Sequence, residues 1–261
     1  MRQIDRIKNY LLGTPLAVLL REIQATVVKY KIINSDKELK NNNTVYCISP
    51  YKTGTTYLAS CFNSTISQHE PIHYFSLKHL DQDFDSLFGK RLNYLNLKLE
   101  CSGFWSVYLD ELANHEIAKD LQYICVLRLP SKWINSVINY WYDPELEFSF
   151  DMVNELFWKP KVGVDLRSFD FGIETEHNEQ IIERLIEYYF DFTRKTALLK
   201  NIKYIRLKHL DQNLSSVGSL IKESYNKNNS WQRKAKRKIF VYNNDLIDKE
   251  YNALVSKLIT N

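Results

Sequence analysis

Short apolar runs alternate with amphipathic stretches along most of the chain. The runs Val45–Ser49, Ile72–Phe75, Leu95–Cys101, Gln122–Arg128 and Lys203–Leu207 have the length and continuity of strands buried on both faces. Between them, apolar positions recur at helical spacing over Thr55–Ser67, Leu77–Phe88, Trp105–His115, Lys132–Trp141 and Glu179–Lys200. In the last of these, Ile182, Leu185, Ile186, Tyr189, Phe192 and Thr196 share one face. Strand–helix alternation predicts an α/β fold with a central, mostly parallel sheet of about five strands flanked by helices. In such folds ligands gather beyond the carboxyl ends of the strands.

Ahead of the first strand, Leu16, Leu19, Leu20, Ile23, Val27 and Val28 form a helical stripe. It is expected to pack on the main domain, with contact to a membrane surface as the second reading. The early apolar runs are broken by Pro15 and ended by Arg21 and Glu22, a pattern of neither a secretory leader nor a spanning helix. The polar stretch NSDKELKNNNT then divides an N-terminal helical segment, residues 1–43, from an α/β domain, residues 44–261.

Composition adds little to this picture: 44% of residues are hydrophobic and 25% charged, as in ordinary globular proteins. The net charge of +4 suits an anionic ligand and is too small to argue for nucleic acid. Cys47, Cys61, Cys101 and Cys125 show no CxxC or zinc spacing. They read as buried thiols of a reducing, cytoplasmic compartment, with peripheral contact at the inner membrane face left open.

The candidate chemistry begins at SPYKTGTTYL, residues 49–58, where the first strand runs into a turn and then a helix. Gly54 permits the turn, and the helix start offers unpaired N–H groups to an anion. Lys52 adds a full charge, and Thr53, Thr55 and Thr56 add hydroxyls. The lysine precedes the glycine, unlike the GxxxxGK[ST] loop of nucleoside triphosphatases. That order resembles the 5′-phosphosulfate loop, near PK[ST]GTT, of sulfotransferases that use 3′-phosphoadenosine 5′-phosphosulfate (PAPS), with Tyr51 standing between the proline and the lysine.

The same family carries a 3′-phosphate element: an arginine at a strand end and a serine eight residues later on the next helix. YICVLRLPSKWINSVINYW supplies Arg128 and Ser136 in that arrangement. An arginine fork and a hydroxyl converging on one phosphate make physical sense. The resemblance covers residues 44–141 and is faint beyond. It implies a PAPS-dependent sulfotransferase with a P-loop-type nucleotide-binding fold, of a bacterial, carbohydrate-type branch, in which Lys52 stabilises charge on the bridging oxygen and no metal is needed. The implied product nucleotide is 3′-phosphoadenosine 5′-phosphate. The acceptor is expected to be a saccharide, glycolipid or other small hydroxyl or amine compound. Tyr57 and Trp133 are candidates for the adenine, and Arg233 and Lys234, in the basic run WQRKAKRK, for the 3′-phosphate.

A general base for the acceptor is sought in SQHEPIHYF, among His69, Glu70 and His73. In glycosaminoglycan sulfotransferases a glutamate shortly before an HFF-like strand serves, which favours Glu70, with His69 next. LECSGFW departs from that branch's EK[ST]P, placing Cys101 at the lysine and Gly103 at the proline, with Ser102 still able to touch a ligand. The aromatic stretch 142–178, with Phe148, Phe150, Trp158, Phe169 and Phe171, reads as core or as a sugar-stacking lid. A magnesium-dependent small-molecule kinase and a non-catalytic binder of anionic glycans are the competing functions.

Overall fold

A computed structural model describes residues 15–34, 43–141, 147–227 and 238–260, with side chains from 19 and, after the second gap, from 150. The chain forms one five-stranded sheet in the order β2-β3-β1-β4-β5, and every pairing is parallel. The strands are β1 (Val45–Cys47), β2 (Ser67–His69), β3 (Leu99–Cys101), β4 (Gln122–Leu127) and β5 (Ile202–Arg206). Described helices, in chain order, are α1 (Pro15–Ile33), α2 (Thr55–Ser60), α3 (His73–His79), α4 (Phe84–Leu95), α5 (Leu109–Asn114), α6 (Pro130–Trp141), α7 (Glu147–Val153), α8 (Glu176–Lys195), α9 (Leu210–Ile221) and α10 (Asp245–Thr260).

Side chains alternate across the sheet and build two apolar layers. Tyr46, Ile48, Tyr123, Cys125 and Leu127 face a large core closed by α4, α5, α6, α8 and α10. Val45, Cys47, Leu99, Cys101, Ile124, Val126 and Ile205 face a smaller one under α2 and α9. All four cysteines are buried free thiols. Phe150, Trp158 and Phe169 are core residues and Phe171 packs against them, so this part of the 142–178 aromatic stretch serves packing, while the side chain of Phe148 lies outside the described residues.

Several elements differ from the sequence reading. The run Ile72–Phe75 enters a helix, and the second strand is the more polar Ser67–His69. Glu70 and Ile72 adopt left-handed backbone (φ 51° and 45°), and Pro71 between them has no N–H, so the strand stops at His69. The third strand starts only at Leu99, because Leu95 ends α4 and Asn96 caps it at φ 45°. The helix expected over Leu77–Phe88 is two helices, the second capped by the Asp83 carboxylate on the Ser86 N–H at 3.2 Å. Trp105–His115 divides into a 3₁₀ turn over Gly103–Val107 and α5, and the helix begun at Thr55 ends at Ser60.

The N-terminal stripe is the largest departure. Val28 packs inward, yet Leu19, Leu20, Ile23 and Val27 point away from the domain. What α1 buries instead is Ala25 and Ile32, while Glu22 bonds Tyr74 and Lys78 and Arg21 reaches the Met152 sulfur. Among the described residues no helix is long and apolar enough to cross a membrane.

The strand order places the switch in connection direction between β1 and β4, where the turns that follow those strands part. Ser49 ties the two tips together, its hydroxyl accepting from the Val126 N–H at 2.5 Å. The Lys52 turn and Arg128 leave the sheet at this crevice.

Candidate functional site

A cleft of about 610 Å³ opens there, within the range of small-ligand sites. Lys52, Gly54, Thr55, Thr56 and Tyr57 line it from the first turn, His69 and Glu70 from the end of β2, and Arg128 from β4. Along α6, Lys132, Ser136 and Tyr140 lie at helical intervals of four and all reach the cleft, beside Asn135 and Asn139. The far wall is Lys238, Phe240, Val241 and Asn243.

Two left-handed residues, Lys52 (φ 68°) and Gly54 (φ 98°), curl the first turn. Positive φ is costly for a lysine, and the loop is braced accordingly. Arg128 Nη1 donates to the Lys52 carbonyl at 2.7 Å, the Trp133 indole N–H donates to the Tyr51 carbonyl at 2.8 Å, and the Thr53 hydroxyl donates to the Pro50 carbonyl at 2.7 Å. The Lys52 ammonium sits over the Tyr140 ring, 3.2 Å from its centroid. Burial pushes the Arg128 pKa down from its usual value, yet a guanidinium remains charged. With Lys132 and Lys238, the cleft carries, among the described residues, four cationic side chains against the carboxylate of Glu70.

At the opposite end a polar chain runs through the candidate bases. The Tyr51 hydroxyl lies 2.7 Å from His73 Nε2, His73 Nδ1 lies 3.7 Å from one Glu70 oxygen, and the other is 3.4 Å from His69 Nε2. That His69 nitrogen also meets the Thr55 and Thr56 hydroxyls at 3.2 and 3.0 Å. Burial, and secondarily the Glu70 charge, drives the Tyr51 pKa far up, so the phenol keeps its proton. His73 thus lies between the Tyr51 phenol and the Glu70 carboxylate.

Two of the departures from the resembled pattern, Tyr51 and Gly103, meet in space. A Cβ on Gly103 would lie 2.5 Å from Tyr51 Cδ1, and the ring's other edges are held by Phe157, Trp158 and Trp141. The inserted tyrosine occupies the room that the absent side chain leaves.

Other sequence candidates are placed differently. Thr53 uses its hydroxyl inside the loop base and does not line the cleft, and the fully buried Trp133 is core and stacks on Tyr189 at 4.3 Å. Ser102 donates to Glu100, within a buried network in which Arg91 grips Glu100 at 2.6 and 2.8 Å. Arg233 and Lys234 lie outside the described residues. Of the basic run, Lys238, its last residue, lines the cleft.

Lys238 arrives there through contacts that sequence reasoning missed. The Asn139 amide accepts from the Ile239 and Phe240 N–H groups and donates to the Phe240 carbonyl, and Asn135 pairs likewise with Tyr242. Two side-chain amides thus hold an extended segment as a neighbouring strand would. Lys132 and Tyr140 were findable, because they flank Ser136 by one helical turn on either side.

Among the described residues no group of three or more His, Cys, Asp or Glu is placed to hold a metal ion. Comparison with family models, curated proteins and solved structures returns no match to this chain.

Proposed function

We propose that the protein is a sulfotransferase that takes a sulfuryl group from 3′-phosphoadenosine 5′-phosphosulfate to a hydroxyl or amine acceptor, on a nucleotide-binding fold of P-loop type. The observation that carries this reading is the convergence of the Lys52 turn and Arg128, 76 residues apart, on one cleft, with a direct hydrogen bond between them. A ligand with phosphates on the 3′ and 5′ positions of one ribose would meet a cation at each phosphate.

In this reading Lys52, Thr55, Thr56 and the amides around Gly54 hold the 5′ end, while Arg128, Ser136 and Lys238 hold the 3′-phosphate. Because α2 has only six residues, the charge of Lys52 matters more than the helix terminus. The cofactor, when bound, supplies the activated sulfuryl group. Lys52 neutralises charge that develops on the departing phosphate. Glu70, oriented by His69 and His73, takes the acceptor proton. Trp141, in the cleft wall, offers an aromatic surface to a saccharide.

Thermal unfolding with adenosine 3′,5′-bisphosphate tests the reading. At a hundredfold excess over Kd, binding adds about 2.7 kcal/mol of stability and raises the melting temperature. No shift in a folded sample, or a shift only with ATP and magnesium, counts against it. Arg128→Ala is expected to weaken the bisphosphate by roughly 10- to 100-fold, the range for charged hydrogen bonds. Adenosine 5′-phosphate should weaken less, through the lost brace on Lys52 alone; equal losses would remove the 3′ role.

A further inference from the structure

Helix α1 is docked through a mixed face. Arg21 and Glu22 contact the domain, and Ala25, Val28 and Ile32 fill the remaining contact against α3 and α4. The outward face carries Leu19, Leu20, Ile23, Val27 and Tyr30, 46–71% exposed. These positions follow the helical repeat, so they form one continuous apolar stripe rather than scattered exposed residues.

Charge distinguishes what would cover it. Residues 1–33 contain six Lys and Arg against two Asp and Glu, whereas the rest of the chain has 29 of each. The whole net charge of +4 therefore belongs to this segment. Two copies joined through the stripe would bring like charges together, while an anionic surface complements them. Lys29 and Lys31 stand near the carboxyl end of the helix, where they can meet acidic headgroups while the stripe enters the acyl boundary.

We infer that α1 is a membrane-surface anchor, lying in the plane of an anionic bilayer with Leu19, Leu20, Ile23, Val27 and Tyr30 inserted. The inference is independent of the proposed transferase activity.

Sedimentation of the full chain with phospholipid vesicles tests it. The protein is expected to bind vesicles containing phosphatidylglycerol, to leave them at high salt, and to bind pure phosphatidylcholine much more weakly. The Ile23→Glu/Val27→Glu variant, altered only at exposed positions, should keep its melting temperature and lose vesicle binding. Lys29→Gln/Lys31→Gln should weaken binding by roughly fivefold per lysine. Equal binding to neutral and anionic vesicles overturns the inference, as does an absence of binding to either. A dimer that Ile23→Glu/Val27→Glu dissolves, without vesicle binding, overturns it in favour of a second copy.

Discussion

Gly103→Ala should destabilise the protein through Tyr51 alone. The new Cβ would lie 2.5, 2.6 and 2.8 Å from Tyr51 Cδ1, Cγ and Cε1, where carbon atoms prefer about 3.5–4.0 Å. The ring has nowhere to retreat. Its hydroxyl is bonded to His73, its carbonyl to Trp133, and Phe157 abuts it edge-on at 4.8 Å. Such overpacking costs about 1–3 kcal/mol. For a domain of this size, 2 kcal/mol lowers the melting temperature by about 4–8 °C. A double-mutant cycle isolates the cause: Tyr51→Ala opens a cavity and is itself destabilising, but in that background Gly103→Ala should cost almost nothing. Calorimetry of the four proteins measures the coupling. A Gly103→Ala penalty of equal size with and without the Tyr51 ring would refute the pairing.

Two further outcomes rest on equally specific contacts. Tyr51→Phe removes only the hydroxyl 2.7 Å from His73 Nε2, so the ¹⁵N resonance of that imidazole nitrogen should shift, while under the proposed function sulfuryl transfer loses about tenfold in kcat at unchanged KM; an unchanged His73 spectrum defeats the contact. Hydrogen bonds from Lys78 and then Tyr74 hold the Glu22 carboxyl below its usual pKa. A depressed carboxylate stabilises the fold above its unfolded pKa of about 4.3 and ceases to do so as pH falls through the lower folded value. Protection of α1 amides from hydrogen exchange should therefore drop in acid, and Glu22→Gln should be weaker at neutral pH and flat across that window; unchanged protection from neutral to strongly acid pH would exclude this anchor.

The strands that form the crevice were legible in the sequence for a physical reason. β1 and β4 lie buried in the sheet interior, and β5, at one edge, packs Ile205 beneath α9, so their apolar residues mark them to within two positions. β2 is an edge strand of Ser, Gln and His, and the neighbouring apolar run belongs to α3, which buries Phe75 and Leu77. The outward stripe of α1 reads like a core-facing one, because periodicity reports that a face is apolar and not what lies against it. In the cleft, Lys52 and Arg128 stood out because each closes a strand. Asn135, Asn139 and Lys238 did not, since their roles depend on a pairing across about a hundred residues that no local pattern encodes. Tyr51 and Gly103 each looked like a separate departure until their contact joined them.

The asparagine clasp has a consequence for how the protein is born. Helix α6 leaves the ribosome 100 to 107 residues ahead of the segment that Asn139 and Asn135 will grip, and its Ser131 waits 117 residues for Asp248. Until then the far wall is missing and the nascent chain has only part of the cleft. A translating ribosome therefore carries a sheet already able to form, while the cleft is completed only when the last wall is threaded into place.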